Sequence, residues 1–205
     1  MGRSASIQKW FNQFLFALIL VGGNGCSGQP GPEAIMQANG DVRAVPWPSD
    51  ALLGDDGKVR LVGPLPFDSN VEDNLTQLAA TLSTADGFST TRSIFFPVSA
   101  DVVVDDGAAA TVVDLDDPTK TLSYPLFYRA ETKQLVAMSP IGTALVEHHA
   151  YGCWIAGGVH DAAGHALHPS SVMSAAIGGH GAIGARASYQ KLASALDAAM
   201  VKPLA

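Results

Sequence analysis

The stretch ATVVDLDDPTKTLSYPLFYRAETKQLVAM, residues 110–138, decides the fold class. It contains three short runs rich in β-branched and aromatic residues, which are the residues that fit a pleated, half-buried surface. These runs predict strands near 110–115, 122–128 and 134–138. The polar clusters between them, at 116–118 and 131–133, are typical of turns. Short runs separated by short turns favour consecutive antiparallel strands.

Runs of the same kind flank this stretch on both sides. They predict further strands near 94–99 and 151–159. Two helices are also predicted: one over 69–83, which a capping box opens, and one over about 185–199, where apolar residues recur at helical spacing. Many short strands with few helices predict a mostly β fold, built as an antiparallel β-sandwich with two short helices.

The first 25 residues have the three parts of an export signal. Arg3 and Lys9 form a basic start, an uninterrupted apolar run covers 14–21, and small residues lead through Gly25 to Cys26. That run is much shorter than the roughly 20 residues of a membrane-spanning helix. Because a small residue precedes the cysteine, as in a bacterial lipobox, Cys26 is the expected lipidation site and the first residue of the mature protein. The alternatives are a cleaved signal with an incidental cysteine and an uncleaved signal anchor.

Composition divides the chain into four parts. They are a signal peptide (1–25), a flexible tether rich in Gly, Pro, Gln and Asn (26–41), a β module (42–170), and a linker with a C-terminal helix (171–205). Two prolines beside Trp47 exclude a helix there, so this segment is expected to lie extended with Trp47 docked on the domain. The last helix lacks a strong stop signal, which suggests a fragment of a longer protein.

Charge and cysteine content exclude several classes of partner and site. Export would remove two of the 12 basic residues and none of the 19 acidic ones, so the formal charge would fall from −7 to −9. An acidic protein is a poor partner for nucleic acid, and none is expected. If Cys26 carries lipid, Cys153 is the one remaining thiol, which leaves no intramolecular disulfide and no cysteine-based zinc site. The apolar run around Cys153 predicts a buried, inert thiol.

One part of the chain resembles a known family. VPWPSDALL (45–53), followed by ADGFSTT (85–91) and the apolar IFFP (94–97), resembles the N-terminal region of the bacterial virulence-factor lipases. Trp47 and Ser49 depart from that family's pattern, which has Phe and Asn there. The resemblance implies an exported and often lipid-anchored protein in which an α/β-hydrolase domain follows this region.

A second part of the chain is similar to bacterial Ig-like domains. It runs from LVAMSP (135–140) to VHDAAGHAL (159–167), which contains a turn of the Asp-x-x-Gly-x-x-Leu kind. The expected sandwich is therefore Ig-like in part. Together the two resemblances cover about residues 43–170.

The residue patterns of catalysis are absent from this sequence. The nucleophile elbow Gly-x-Ser-x-Gly does not occur, and neither does a phosphate-binding loop. The serines at 69, 89, 93, 170 and 171 are predicted to lie in caps or turns. The run 178–181, Gly-Gly-His-Gly, could imitate an oxyanion loop but is interpreted as a flexible linker. No catalytic residue and no cofactor are expected.

Histidines and carboxylates supply the remaining candidate ligands. His160, His165 and His168 could approach one another around a hairpin, but their spacing matches no zinc pattern, and exposed turn histidines are the preferred interpretation. The aspartate clusters at 55–56, 105–106 and 114–117 are too short for a calcium loop and are interpreted as turns. The aromatic residues of the strands are expected in the core. No metal is expected.

The sequence thus predicts a non-catalytic N-terminal module of an exported, lipid-anchored protein related to secreted lipases and esterases. Its partners would be the membrane, through a lipid on Cys26, and a downstream hydrolase domain. The expected place is the outer membrane or cell surface, and the alternatives are periplasmic or secreted. The alternative function is a stand-alone binding or adhesion module of the cell surface.

Overall fold

A computed structural model describes residues 31–37, 43–60, 80–81, 83–85 and 87–201. The predicted signal peptide, Cys26 and most of the predicted helix over 69–83 lie outside these residues, although 80 and 81 are helical. None of the described helices is both long enough and apolar enough to cross a membrane.

The fold is mostly β and is organised around a curled antiparallel sheet of five strands in the order β2-β6-β5-β4-β7. The strands are β1 Glu33–Ala34, β2 Ile94–Pro97, β3 Val103–Val104, β4 Ala109–Asp114, β5 Thr121–Arg129, β6 Gln134–Ala137, β7 Tyr151–Ile155, β8 Val159–His160 and β9 His168–Pro169. Two small sheets add to it: β1 pairs with β9 in parallel, and β3 pairs with β8 in antiparallel. The five principal strands fall where the sequence predicts them, and their antiparallel pairing is confirmed.

Strand β5 holds the two halves of the sheet together. Its first half pairs with β4, and its second half pairs with β6. The change of partner occurs at Pro125, whose carbonyl accepts from the N–H of Met138 (2.9 Å) while the next residue, Leu126, donates to Ala108 (3.1 Å). Proline has no N–H for the ladder, so β6 ends beside it. The sheet can therefore curl at this point.

One face of the sheet forms the core. Ala110 of β4 lies between Tyr124 of β5 and Ile155 of β7, Val112 lies beside Cys153 of β7, and all five are buried, as the alternation of a half-buried strand requires. Burial raises the pKa of the Cys153 thiol far above its usual value. The prediction of a buried and inert thiol is confirmed.

The segment before the sheet packs on the domain, which corrects the expected tether. Ala34 and Met36 are buried, and the N–H of Ile35 donates to Pro97 (2.8 Å). Gly31 lies so close to the carbonyl of Ala166 that a β-carbon would stand 2.3 Å from its oxygen. Alternating apolar residues drive this docking, so the described residues 31–37 belong to the domain rather than to the tether predicted over 26–41.

Trp47 extends the sheet at its β2 edge, as the sequence predicts. The Trp47 N–H and carbonyl exchange two hydrogen bonds of 2.8 Å with Phe95 of β2, and the peptide bond from Trp47 to Pro48 is cis. The Trp47 indole meets the Phe88 ring edge-on, with centroids 5.2 Å apart. A 3₁₀ helix, Asp50–Leu52, follows. The added strand satisfies backbone groups that an edge strand would otherwise expose.

Three helices follow β9 where the sequence analysis expected a linker and one helix. They are α1 Ser171–Ile177, α2 Gly181–Gly184 and α3 Ala187–Val201. The hydroxyl of Ser170 caps α1 by accepting from the N–H of Met173 (3.3 Å). Helix α3 corresponds to the predicted C-terminal helix. Its Leu192 packs over Gly152 of β7, where a β-carbon would lie 2.6 Å from a Leu192 methyl carbon.

The strand directions give the sheet two ends. The proximal end carries Ser99, the turns 105–108 and 130–133, and the hairpin 160–166; the distal end carries the turn 115–120 and the loop 138–150. Glu33 binds Ser99 by two hydrogen bonds of 2.8 and 2.9 Å, so the described chain enters at the proximal end.

Candidate functional site

The three histidines of the hairpin region lie at the proximal end and have separate partners. His160 places Nδ1 2.7 Å from the carbonyl of Asp161 and Nε2 3.0 Å from Oδ1 of Asp105. His165 places Nδ1 2.8 Å from Oδ2 of Asp161, and His168 places Nε2 2.8 Å from the carbonyl of Gly31. The side chains are thus held in place by oxygen acceptors. They do not converge on one point that could hold a metal ion.

The charge state of this hairpin follows from those contacts. Both ring nitrogens of His160 face oxygen acceptors, which only the imidazolium form can satisfy together. The Asp161 carbonyl and then the Asp105 carboxylate accordingly raise the pKa of His160. The His165 ring and main-chain N–H lower the pKa of Asp161. The contacts of the hairpin therefore favour the protonated form of His160 and the ionised form of Asp161.

The cluster that best fits a cation lies at the distal end, and it consists of Asp114, Asp116 and His149. One potential ligand atom of each lies within 4.8 Å of the other two. Asp114 is buried, and its Oδ2 lies 2.7 Å from Nδ1 of His149. Among the described residues, this is the group of three potential ligand side chains that comes together.

Each carboxylate oxygen of the cluster already has a hydrogen-bond partner. Oδ1 of Asp114 accepts from the N–H groups of Asp116 (2.9 Å) and Asp117 (3.2 Å), which is the turn that the acidic cluster predicts. Asp116 accepts from the N–H of Ala150 (3.0 Å) and from the Lys191 ammonium (2.5 Å). Burial acts to raise the pKa of Asp116, but the Lys191 contact outweighs it and holds the pKa below its usual value. The arrangement therefore joins α3 to the distal end with a positive charge already in place.

A second group of polar side chains lies buried between the 3₁₀ helix Asp50–Leu52 and the start of α3. Asp50 is 1% exposed, and its Oδ1 has no hydrogen-bond partner among the described residues; the same is true of the buried Oγ of Ser188. Arg186 donates to the carbonyls of Asp50 and Leu53. Burial raises the pKa of Asp50 to about 6, since the nearby Ser188 hydroxyl and the Arg186 charge offset only part of the lost hydration. Sequence reasoning missed this group, because its members are far apart in the chain.

Ser170 and the glycine run have structural roles, while Ser69 lies outside the described residues. Ser170 caps α1, and its hydroxyl donates to the carbonyl of Met36 (3.4 Å). Gly178 ends α1, and Gly179 and Gly181 take positive φ angles of 75° and 72°, which glycine adopts without strain. The run 178–181 thus connects two helices, so the flexible linker predicted there is a helix junction.

The aromatic residues divide between core and surface. Phe96 and Tyr124 are fully buried, which confirms the core prediction for them. Phe127 is 48% exposed and stands on the outer face of the sheet. The Tyr128 hydroxyl donates to Asp101 (2.6 Å). Core packing therefore does not account for the whole aromatic set.

The distal loop 138–150 presents apolar side chains to solvent. Ile141 is fully exposed, and Met138 and Val146 are each about half exposed. The loop is held at its base, where Leu145 donates to Thr90 (2.9 Å) and the Tyr151 hydroxyl accepts from Val146 (2.9 Å). A shallow open depression lies beside it, lined by Thr91 and residues 139–144. This loop is the most apolar exposed segment at the distal end.

Comparisons of the chain with known proteins found no match. No protein-family model, no curated protein and no solved structure matches the chain. The function is therefore inferred from the contacts above and from the motifs in the sequence.

Proposed function

We propose that the chain is a non-catalytic N-terminal module of an exported, lipid-anchored protein related to secreted lipases and esterases. The module is an antiparallel β-sandwich, Ig-like in part, that stands between the lipid on Cys26 and a downstream hydrolase domain. Its place is the outer membrane or cell surface.

The contact between Trp47 and Phe88 carries this proposal. Trp47 belongs to the first lipase-like motif, Phe88 to the second, and Phe95, which pairs with Trp47, to the third. The ring contact of 5.2 Å and the two backbone hydrogen bonds join the three motifs in one packing unit. Trp47 precedes Phe88 by 41 positions and Phe95 by 48, and such distant motifs gain a physical reason to occur together when their residues touch. This packing unit supports the proposed resemblance.

The Ig-like turn is supported by its own hydrogen bonds. Oδ1 of Asp161 accepts from the N–H groups of Ala163 (2.9 Å) and His165 (2.8 Å). Gly164 takes a φ of 86°, and Leu167 is fully buried. The aspartate, glycine and leucine of the motif thus close the turn, reverse the chain and anchor it in the core, in that order.

The hydrogen bonds of the histidines support the non-catalytic part. Nucleophilic hydrolysis needs a histidine base within about 3 Å of an activated hydroxyl. His149, His160 and His165 have Asp carboxylates within 3.0 Å, but the Ser170 hydroxyl binds main-chain groups at a helix cap. Among the described residues, histidines with an orienting aspartate are present, and the engagement of the Ser170 hydroxyl at the helix cap supports a non-catalytic function.

Two measurements test the proposal. Labelling of a bacterial host with a fatty-acid probe should mark the wild-type protein and leave Cys26→Ser unmarked. The purified chain should turn over p-nitrophenyl butyrate no faster than a heat-inactivated control, with or without zinc. Equal labelling of the two proteins would remove the lipid anchor. Turnover that His149→Ala or His165→Ala abolishes would make the chain an enzyme.

The exposed distal loop favours the second candidate, a stand-alone binding or adhesion module. Ile141 and Val146 are the kind of apolar side chains that interfaces bury. Under this function, cells that display the Ile141→Ser, Val146→Ser double variant should adhere less than cells that display the wild type. Equal adhesion at equal surface amounts would exclude this role for the loop.

A further inference from the structure

We propose that the proximal end of the module faces the lipid bilayer at close range and that the distal loop 138–150 points away from it. This inference rests on the proposed lipid anchor at Cys26 and names the surface that the anchor presents to the membrane.

The docking of residues 31–37 shortens the connection to the membrane. A flexible tether over 26–41 would let the domain move freely far from the bilayer. The structure instead fixes Gly31 against Ala166 and pairs β1 with β9, so only residues 27–30 separate Cys26 from the docked chain. Five residue steps at no more than about 3.6 Å each place Gly31 within about 18 Å of the lipidated cysteine.

The point of entry lies at one end of the molecule. Gly31 adjoins the hairpin 160–166 through Ala166, and Glu33 binds Ser99. Strand β4 starts at this end, at Ala109, and reaches the distal turn after Asp114. The proximal hairpin and turns therefore surround the place where the lipidated chain would leave the domain.

The size of the domain excludes the reversed orientation. A compact unit of about 170 residues has a radius of gyration of about 15 Å, which corresponds to a sphere about 40 Å across. Strand β4 covers five residue steps, about 17 Å, between the two ends, and the turns beyond it add to this length, so a distal loop on the bilayer would hold Gly31 farther away than the 18 Å that the linker can span. The covalent connection alone thus keeps the distal end in solvent.

Charge does not set this orientation. The proximal end carries Glu33, Asp105 and Asp161, which anionic lipid would repel, and His160 and His165 are paired with two of these carboxylates. The short linker 27–30, rather than attraction to lipid headgroups, therefore keeps the proximal end near the bilayer. The orientation should then persist at high salt, where exposed charges are screened.

Energy transfer to a lipid dye tests the orientation in the full lipidated protein, reconstituted in vesicles. Ala162→Cys places a donor on the proximal hairpin, and Ile141→Cys is the matched distal variant; both side chains are exposed. Cys153 is buried and stays unlabelled. We expect more transfer from position 162 than from position 141, at low and high salt. Insertion of twelve Gly/Ser residues after Gly28 should remove most of that difference, because a linker of 16 residues spans roughly 22 Å on average and far more when extended.

The outcomes separate the orientation from the anchor. Fatty-acid labelling with equal transfer at the two positions, or with more transfer at 141, would refute the orientation and leave the lipid anchor standing. Loss of the difference at high salt would assign the orientation to charge and refute the linker argument. Absence of fatty-acid label on the wild type would remove the anchor and the orientation together.

Discussion

Replacement of Asp50 by Asn is expected to stabilise the protein at neutral pH and to leave it unchanged in acid. The Asp50 carboxyl is 1% exposed, and one of its oxygens has no partner among the described residues. Arg186 binds the main chain beside it, so the buried carboxylate loses hydration that one guanidinium only partly replaces. Asparagine keeps the shape of the side chain and removes the charge.

The magnitude follows from the pKa. Burial raises the pKa of Asp50 from 3.8 to about 6, which at about 1.4 kcal/mol per pKa unit corresponds to about 3 kcal/mol. The folded protein holds the proton more tightly than the unfolded chain. Its stability is therefore greater below pH 3.8 and falls as the pH rises to about 6. Asp50→Asn has no such loss. Its free energy of unfolding should therefore exceed that of the wild type by almost nothing at about pH 4 and by about 3 kcal/mol at about pH 7.

Urea unfolding of both proteins across this pH range measures the difference directly, because the other titrating groups cancel. Asp56→Asn is the matched control. The Lys58 N–H and then Arg60 lower the pKa of the exposed Asp56, so its charge stabilises the folded state and its replacement should act in the opposite direction at neutral pH. If Asp50→Asn and the wild type differed by the same amount at every pH, the pKa of Asp50 would be the same in the folded and unfolded states, and the reasoning would fail.

Two further substitutions test packing, each followed by urea unfolding. Gly152→Ala puts a methyl group 2.6 Å from a Leu192 methyl carbon and 3.2 Å from Val113 and Leu115, and overpacking of this kind costs about 1–3 kcal/mol. Gly157→Ala meets nothing within 4 Å and should change stability by less than about 0.5 kcal/mol; similar effects for both would place α3 elsewhere. Trp47→Ala removes the contact with Phe88 and should cost about 3 kcal/mol, the lower limit for a buried tryptophan, because the indole is only half-buried. Trp47→Phe should lose less, and an unchanged midpoint for Trp47→Ala would mean that the segment is not docked.

The strands could be predicted because their signals are local. Residues 110–138 contain runs rich in β-branched and aromatic residues between turn clusters, so both the strands and their antiparallel pairing follow from neighbouring residues. The docking of Trp47 was predictable for a similar reason, since two prolines leave it no helix to enter.

The missed elements depend on partners that are distant in sequence. Strand β1 has two residues in a segment rich in Gly and Pro, and it forms only because β9 and Val98 lie beside it. Helix α1 has seven residues, too few for a periodic pattern to stand out. The pairing of His149 with Asp114 spans 35 residues, and Arg186 reaches Asp50 across 136. No local pattern contains such information.

The hydrogen bonds from Arg186 to the carbonyls of Asp50 and Leu53 affect the order in which the fold is completed. Nearby, the Tyr189 hydroxyl lies 3.9 Å from the sulfur of Met36, 153 residues earlier. Because a chain is synthesised from its N-terminus, Met36, Asp50 and Leu53 are made early, but Arg186 and Tyr189, which bind them, are made only with the C-terminal helices. Closing so long a loop costs entropy that local contacts do not return, so this join forms late. The N-terminal residues of the domain are therefore made first but reach their final contacts last. In a chain that ends before α3, the edge of strand β2 should stay accessible to strands of other molecules.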